Sequence, residues 1–341
     1  MKRRKFIGLS AAGIAGTASA VPTVFHAGTP EEKTQEPITE RELNPNTLWL
    51  RDAKWGFFTH YLPHNPSDKI PDHMTGDLWT KKVNSFNVKR FGQQLSELNT
   101  PYFFITIGQK RGWYCSPNKA FEELFAQDVG RLTERDLVQE LAEELVPRGI
   151  RMCVYLPNFG RHATPEEQLM YQQVIREWSD RWGKSISAWW IDGGVFDGTD
   201  RHKEYTDAYR SGNPDALVSY NTGPIGMTRD LKKPATEYED YIAGETNWHL
   251  PVSGFRPWDK KEYYLGPNIS GDQLHFLTFM GDFWGMGKEP RFNDELAIGW
   301  NKHIAKYGGT ISWDVPLTDS GEITEPYMRQ LGLLSNSLRN Y

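Results

Sequence analysis

The chain has 341 residues, 24% charged and 38% hydrophobic, with a formal net charge of -5. That composition excludes a disordered chain and one embedded in a membrane over most of its length. The acidic balance, with basic residues clustered only at the extreme N-terminus, argues against a nucleic-acid partner.

The first element is an address. Lys2-Arg3-Arg4-Lys5-Phe6 precedes a small, apolar run from Ile7 to Ala20 that ends Ala18-Ser19-Ala20. A basic start, a short apolar middle and an A-x-A end make an export signal. The run is too short to span a bilayer as a helix. Residues 1–20 are therefore expected to be removed after Ala20, leaving a periplasmic or extracellular protein without a transmembrane segment. Arg3-Arg4 with Phe6 is similar to a twin-arginine signal, and the general secretory route stays open because no Ser or Thr precedes the pair. Residues 21–46, rich in Pro, Glu and Thr, read as a flexible linker. Residues 47–341 read as one catalytic domain.

From Lys54 onward, short apolar runs alternate with helical patterns. Lys54 to His60 is a first strand; Asn87 to Asn99 carries Val88, Phe91, Leu95 and Leu98 at helical spacing. Tyr102 to Ile107 is a continuous apolar strand of the kind buried on both faces. Thr133 with Asp136 opens a helix to about Val146, stopped by Pro147 and Gly149. Ile150 to Leu156 is a strand, Thr164 starts a helix through Trp182, and Ser187 to Ile191 and Ala216 to Tyr220 are further strands. Asp240 to Glu245, Glu262 to Leu265 and Thr310 to Trp313 are candidates for the last three strands. Helices at Asp294 to Tyr307 and Glu325 to Leu338 complete the set. Strands separated by helices imply parallel pairing and right-handed crossovers, so an α/β barrel of the (β/α)8 type is expected. An open doubly wound sheet is the alternative, without a glycine-rich phosphate loop to support it.

His60, Gln109, Asn158, Asp192, Asn221, Glu245 and Trp313-Asp314 all fall at or just past the C-terminal end of an apolar run. Barrel enzymes build their sites on that rim. Cleavage of a glycosidic bond needs two carboxyl groups, one to attack or activate water and one to protonate the leaving oxygen. Asp192 and Glu245 are the candidates on likely strand ends by this spacing, although an Asp before Gly193 also suits a turn. The 13 Trp, 15 Tyr and 17 Phe supply a core and flat faces that suit the apolar side of a pyranose. Cys115 and Cys153 form no CxxC pair and read as packed thiols. The nine His are scattered without H-E-x-x-H, so neither metal nor cofactor is expected.

Trp190-Ile191-Asp192-Gly193 resembles the W-x-D-G nucleophile strand of glycoside hydrolase family 29, the retaining α-L-fucosidases. Trp55-Gly56-Phe57-Phe58-Thr59-His60 resembles that family's opening F-G-M-F-I-H-W strand, and Arg135-Asp136-Leu137-Val138 its R-D-L-V helix start. Tyr155 stands at the first Tyr of an L-Y-Y-S strand. Gly308 to Pro316, followed by Gly321-Glu322-Ile323, is similar to the closing G-G-N-L-L-L-N-V-G-P and D-G-T-I segments. The resemblance runs from about Leu48 to Leu334. It implies an exo-glycosidase acting on an α-L-fucosyl or related glycan through a covalent intermediate, with Asp192 as nucleophile. Asp240 to Glu245 resembles the D-(F/Y)-x-T-P-E stretch, which implies Glu245 as acid/base, with Glu239 and Glu237 as rivals. It also implies that His60 contacts the sugar; with it, Gln109, Tyr155, Asn158, Trp190 and Trp313 are expected to shape a sugar pocket. The family's second strand ends K-H-H-D-G-F, whereas this chain has Ile107-Gly108-Gln109-Lys110-Arg111-Gly112, so both sugar-binding histidines are missing. The family's C-terminal β-sandwich is not expected within residues 47–341. Another deoxy, anhydro or sulfated sugar, or a barrel that binds carbohydrate without cleaving it, are the alternatives.

Overall fold

The computed structural model describes residues 44–63, 75–109, 112–125, 130–158, 163–193, 199–224, 236–247, 273–339 and 341. The expected export signal, Lys110 and Arg111, and the strand expected at Glu262 to Leu265 lie outside them.

Eight strands follow in chain order: β1 (Trp55–Thr59), β2 (Tyr102–Thr106), β3 (Arg151–Pro157), β4 (Ile186–Asp192), β5 (Leu217–Asn221), β6 (Tyr241–Ile242), β7 (Gln273–Phe279) and β8 (Thr310–Asp314). The seventh strand is thus Gln273–Phe279. The helices are α1 (Leu48–Ala53), α2 (Gly76–Ser85), α3 (Val88–Glu97), α4 (Lys119–Leu124), α5 (Leu137–Leu145), α6 (Pro165–Trp182), α7 (Thr199–Tyr209), α8 (Asp294–Lys306) and α9 (Glu325–Leu338). Every strand pairs with its neighbours in parallel, in the order β5-β4-β3-β2-β1-β8-β7-β6. The two ends of that order meet and nearly close an α/β barrel of the TIM type.

Local chemistry explains where the helices begin. Thr164 and Glu167 form a reciprocal capping box with Pro165 in the first turn of α6. Asp136, not Thr133, caps α5, accepting from the Gln139 N–H at 3.0 Å. Arg135 beside it grips the Glu140 carboxylate and the Val83 and Phe86 carbonyls, so the R-D pair serves packing. Of the residues expected to form the linker, Asn44 to Asn46 fall among the described ones. Pro45–Thr47 is a 3-10 turn, and Asn44 Nδ2 donates to Asp240 Oδ1 at 2.7 Å.

Alternation along each strand sorts the side chains into two cores. Phe57, Phe103, Ile105, Val154, Trp189, Val218, Ile311 and Trp313 face the helices. Phe58, Tyr102, Phe104, Cys153, Tyr155, Ala188, Trp190, Leu217, Tyr241, Leu277 and Phe279 fill the barrel. Both cysteines are buried free thiols. At the barrel's centre His275 lies fully buried with Nε2 2.8 Å from Ser312 Oγ, and burial pulls its pKa down to about 3, so it is neutral. Gly56 is required here: a Cβ would sit 2.1 Å from the Tyr102 ring.

The β5–β6 seam is closed largely by side chains. The Asp240 N–H donates to the Val218 carbonyl at 2.9 Å, while Asp240 Oδ2 accepts from the Val218 N–H at 2.8 Å. Two residues further along β5, Glu239 Oε1 accepts from the Tyr220 N–H at 2.7 Å. Carboxylates thus occupy places that strand carbonyls fill elsewhere in the sheet.

Candidate active site

Asp192 ends β4 and Asn221 ends β5, and the two are paired in register. Paired residues on adjacent strands point the same way about 5 Å apart, so both side chains enter the barrel mouth together. Tyr155, two residues before the end of β3, points the same way. Glu245 follows β6 and is bridged to Leu277 of β7. The topology therefore gathers these four residues from neighbouring strand ends.

Asp192 is held on both oxygens. The Tyr155 hydroxyl donates to Oδ2 at 2.7 Å and Asn221 Nδ2 donates to Oδ1 at 2.9 Å. Asn221 Nδ2 also donates to Glu245 Oε2, at 2.7 Å. One nitrogen thus serves both carboxyl groups. The two oxygens it binds can be no farther apart than the two bonds laid end to end, about 5.6 Å. The amide's orientation is fixed from its other end, where Asn221 Oδ1 accepts from the Gly223 N–H at 3.2 Å.

The two carboxyl groups differ in environment. Burial first, and the Asp192 charge second, push the Glu245 carboxyl up to about 7; the Asn221 hydrogen bond and His60 pull the other way. Near neutral pH Glu245 can therefore give up a proton or take one. Tyr155 is held far above the ordinary phenol range, chiefly by burial and next by Asp192, so it stays a neutral donor. Gln109 Nε2 donates to the Tyr155 oxygen at 3.1 Å, while its Oε1 is buried without a hydrogen-bond partner. An unmet buried acceptor beside a pocket is suited to a ligand hydroxyl.

These residues line an open-mouthed pocket of about 310 Å³, counting the space open to solvent, bounded by His60, Gln109, Tyr155, Trp190, Asp192, Asn221, Glu245, Leu277 and Trp284. His60, Gln109, Tyr155, Trp190, Asp192 and Glu245 were expected there from the sequence. Asn158 is not in the lining; its main-chain N–H and side chain bond the Asp192 and Gly193 carbonyls and tie β3 to β4. Trp313 is fully buried on the helix side of β8, near Phe292. Its neighbour Asp314 is the one that turns inward, as the strand's period of two dictates. Glu239 is fully buried at the seam, its carboxylate accepting from Ser219, Tyr220 and Thr236, and Glu237 is exposed. Asn221 was visible in sequence as a polar strand end without a role. Trp284 and Leu277 belong to a strand and loop whose position the sequence pattern did not reveal.

Sequence comparison finds no matching family and no matching curated protein. Among solved structures, the chain is similar to an α-L-fucosidase of glycoside hydrolase family 29 from Bacteroides thetaiotaomicron, at TM-score 0.64 and 15% identity, covering 90% of this chain and 76% of that one. It is similar to the endo-fucoidan hydrolase MfFcnA4 of glycoside hydrolase family 107, at TM-score 0.63 and 16% identity, covering 87% of this chain and 54% of that one. A mutant of the α-L-fucosidase AlfC, in complex with 4-nitrophenyl-α-L-fucopyranoside, matches at TM-score 0.61 and 14% identity over 86% of this chain and 98% of its own. The chain thus spans about half the length of the fucoidan hydrolase. At these identities the likeness establishes the fold: a TIM-type barrel of the architecture that glycoside hydrolases of families 29 and 107 use.

Proposed function

We propose that the chain is a retaining exo-glycosidase acting on a terminal α-L-fucosyl or closely related residue. The observation that carries this reading is the pair of carboxyl groups facing one pocket, Asp192 and Glu245, joined through a single amide nitrogen. Retaining enzymes hold their two carboxyl groups roughly 5–5.5 Å apart, and inverting ones about 6.5–9.5 Å. The upper bound of about 5.6 Å between the two bonded oxygens fits the shorter range.

In the first step an Asp192 oxygen attacks the anomeric carbon. The bond from that carbon to the leaving oxygen breaks, and the Glu245 proton moves to the leaving oxygen. In the second, Glu245 takes a proton from water, whose oxygen attacks the same carbon and releases Asp192. A carboxyl poised near pH 7 suits both directions of that transfer. A protein that only binds sugar gains nothing from burying such a group. The aromatic walls of Trp190 and Trp284 suit packing against the apolar side of a sugar ring. The structural neighbours named for fucosidase or fucoidan hydrolase activity support a fucose-like ring.

The same mechanism on another deoxy, anhydro or sulfated sugar is favoured by one observation. Gln109 stands where the resembled family carries paired histidines, and it offers a hydroxyl group a different partner. Export through residues 1–20 belongs to this proposal, and a mature N-terminus near Val21 outside the cytoplasm would support it; intact Met1 on cytoplasmic protein would count against it.

Two variants test the mechanism on a panel of aryl glycosides headed by an α-L-fucoside. Asp192→Ala should abolish turnover of every substrate. Glu245→Ala should cripple cleavage of poor leaving groups, spare intermediate formation from activated ones, and be rescued by azide. A folded Asp192→Ala protein of near-normal activity would end this reading.

A further inference from the structure

We propose that Asn221 is a positioning residue that carries negative charge between the two carboxyl groups across the reaction, one N–H of its amide facing each of them. This inference rests on the roles given above to Asp192 and Glu245. Asn221 is almost fully buried, its oxygen is committed to the Gly223 N–H, and its Nδ2 lies 2.9 Å from Asp192 Oδ1 and 2.7 Å from Glu245 Oε2. Both amide hydrogens are therefore spent on the catalytic pair.

Consider the charge at each stage. Before the reaction Asp192 is a carboxylate and Glu245 a neutral acid. When the Asp192 oxygen bonds to the anomeric carbon, Asp192 becomes a neutral ester, and Glu245, having given its proton to the leaving oxygen, becomes the carboxylate. The charge has moved from one side of the Asn221 amide to the other. In either state one N–H meets a carboxylate and the other a neutral carbonyl oxygen, so no donor has to move. A hydrogen bond to an ionised acceptor is about twice as strong as a neutral one, and at mid-transfer both bonds are partly charge-assisted. Among the described hydrogen bonds, the other groups facing the pair do not bridge it. Tyr155 donates to Asp192, with Gln109 behind it, and His60 lies on the Glu245 side in its electrostatic effect. Asn221 is what the two sides share among the described residues.

The second step should feel the loss most. After ester formation, hydrolysis needs Glu245 as a carboxylate base, and Asn221 is its donor. Without that donor Glu245 holds its proton more tightly, and the glycosyl-enzyme waits.

The test uses the full chain with Asn221→Leu, which keeps the bulk and removes the donor, and Asn221→Ser, which is smaller and polar, each with a melting curve. The substrate is the best activated aryl glycoside of the panel. We expect a rapid burst of released phenol, a kcat at least tenfold lower, and a KM lowered with it. Azide, which attacks the anomeric carbon without needing a base, should restore kcat. In a ¹³C NMR titration of the side-chain carboxyls, with the Glu245 signal assigned by its loss in Glu245→Gln, the Glu245 midpoint should rise by about one pH unit. A purely structural role would give loss without burst, without azide rescue and without movement of that midpoint. Either that result or a kcat within twofold of native in both variants overturns the inference while the native enzyme remains active. A native protein that cleaves no aryl glycoside overturns the reading of the site instead, and the two-step role with it.

Discussion

Asp314 meets His60 at two points, one of them a hydrogen bond. Its Oδ1 accepts the His60 main-chain N–H at 2.9 Å, and its Oδ2 lies 3.1 Å from His60 Nδ1. The same Oδ2 accepts from the Gly285 N–H at 2.6 Å, beside Trp284. A single buried carboxylate thus sets the imidazole on one wall of the pocket and the Trp284 loop on the next. Asp314→Asn replaces one acceptor oxygen by a donor that must face either N–H groups or the ring. We expect a loss of roughly 1–3 kcal/mol in stability and a KM raised about tenfold or more, with kcat less affected. Steady-state kinetics beside a denaturant melt separates the two; an unchanged KM would remove His60 from sugar binding.

Glu245 should leave a signature on stability as well as on rate. Its carboxyl is pushed up from 4.5 to about 7 in the folded protein, so the folded state holds the proton more tightly than the unfolded one. Stability from this group is therefore full below about pH 4.5 and is lost as pH rises through about 7, by at most about 3 kcal/mol. Glu245→Gln removes that dependence. Its melting temperature relative to native should climb between pH 4.5 and 7 and level off above. A gap constant with pH would refute a raised carboxyl at this position.

The same group predicts the alkaline side of the rate profile. With Glu245 needed as acid, kcat/KM on a substrate with a poor leaving group should decline above pH 7. On an activated aryl glycoside the decline should be shallower. Profiles that coincide for the two leaving groups would move the acid role elsewhere.

Glu239, a rival for that role by sequence, is expected to matter for folding alone. Glu239→Ala strands the Tyr220 and Thr236 N–H groups and the Ser219 hydroxyl in a buried seam, at a cost of about 3 kcal/mol or more. Glu239→Gln keeps an acceptor and should retain kcat within a few-fold at temperatures where it is folded. A folded Glu239→Gln protein with neither activity nor azide response would make the seam part of the chemistry.

Gly56→Ala should be costly for a purely steric reason. Its new methyl group would meet the buried Tyr102 ring, whose hydroxyl is pinned by Ser312 Oγ at 2.9 Å. Overpacking of this kind costs typically 1–3 kcal/mol or more. A thermal melt indistinguishable from native would mean that the ring yields freely.

The strands most legible in sequence were those whose two faces are both apolar. Tyr102 to Ile107 reads as an unbroken run, and Ala188 to Ile191 as a shorter one, because one face meets the helices and the other fills the barrel. Gln273–Phe279 did not, because Gln273, His275 and Thr278 interrupt the run with side chains whose partners, such as Ser312 for His275, lie on another strand. The short β6 was legible mainly as the approach to Glu245. At the site, Asp192 and Glu245 stood out as carboxylates at strand ends. The strand-end position of Trp313 shows in sequence while its parity does not; Asp314 takes the inward place, and Trp313 the outward. Trp284 follows the strand that went unread. Asn221 shows in sequence as a polar strand end, but its two hydrogen bonds to two carboxyl groups are a relation across three strands, and single positions do not carry it.

The seam between β5 and β6 divides the machinery in an unequal way. Asp192 and Asn221 ride on one half-shell of the barrel, from β1 through β5, while Glu245 follows the first strand of the other. The gap between attacking group and proton donor is therefore measured across a joint fastened by carboxylate side chains as much as by peptide groups. Such a joint can breathe without unravelling either half. Amide hydrogen exchange at Val218 and Tyr220, whose N–H groups rest on Asp240 and Glu239, would report its opening, and warming should erode turnover before it erodes helix content.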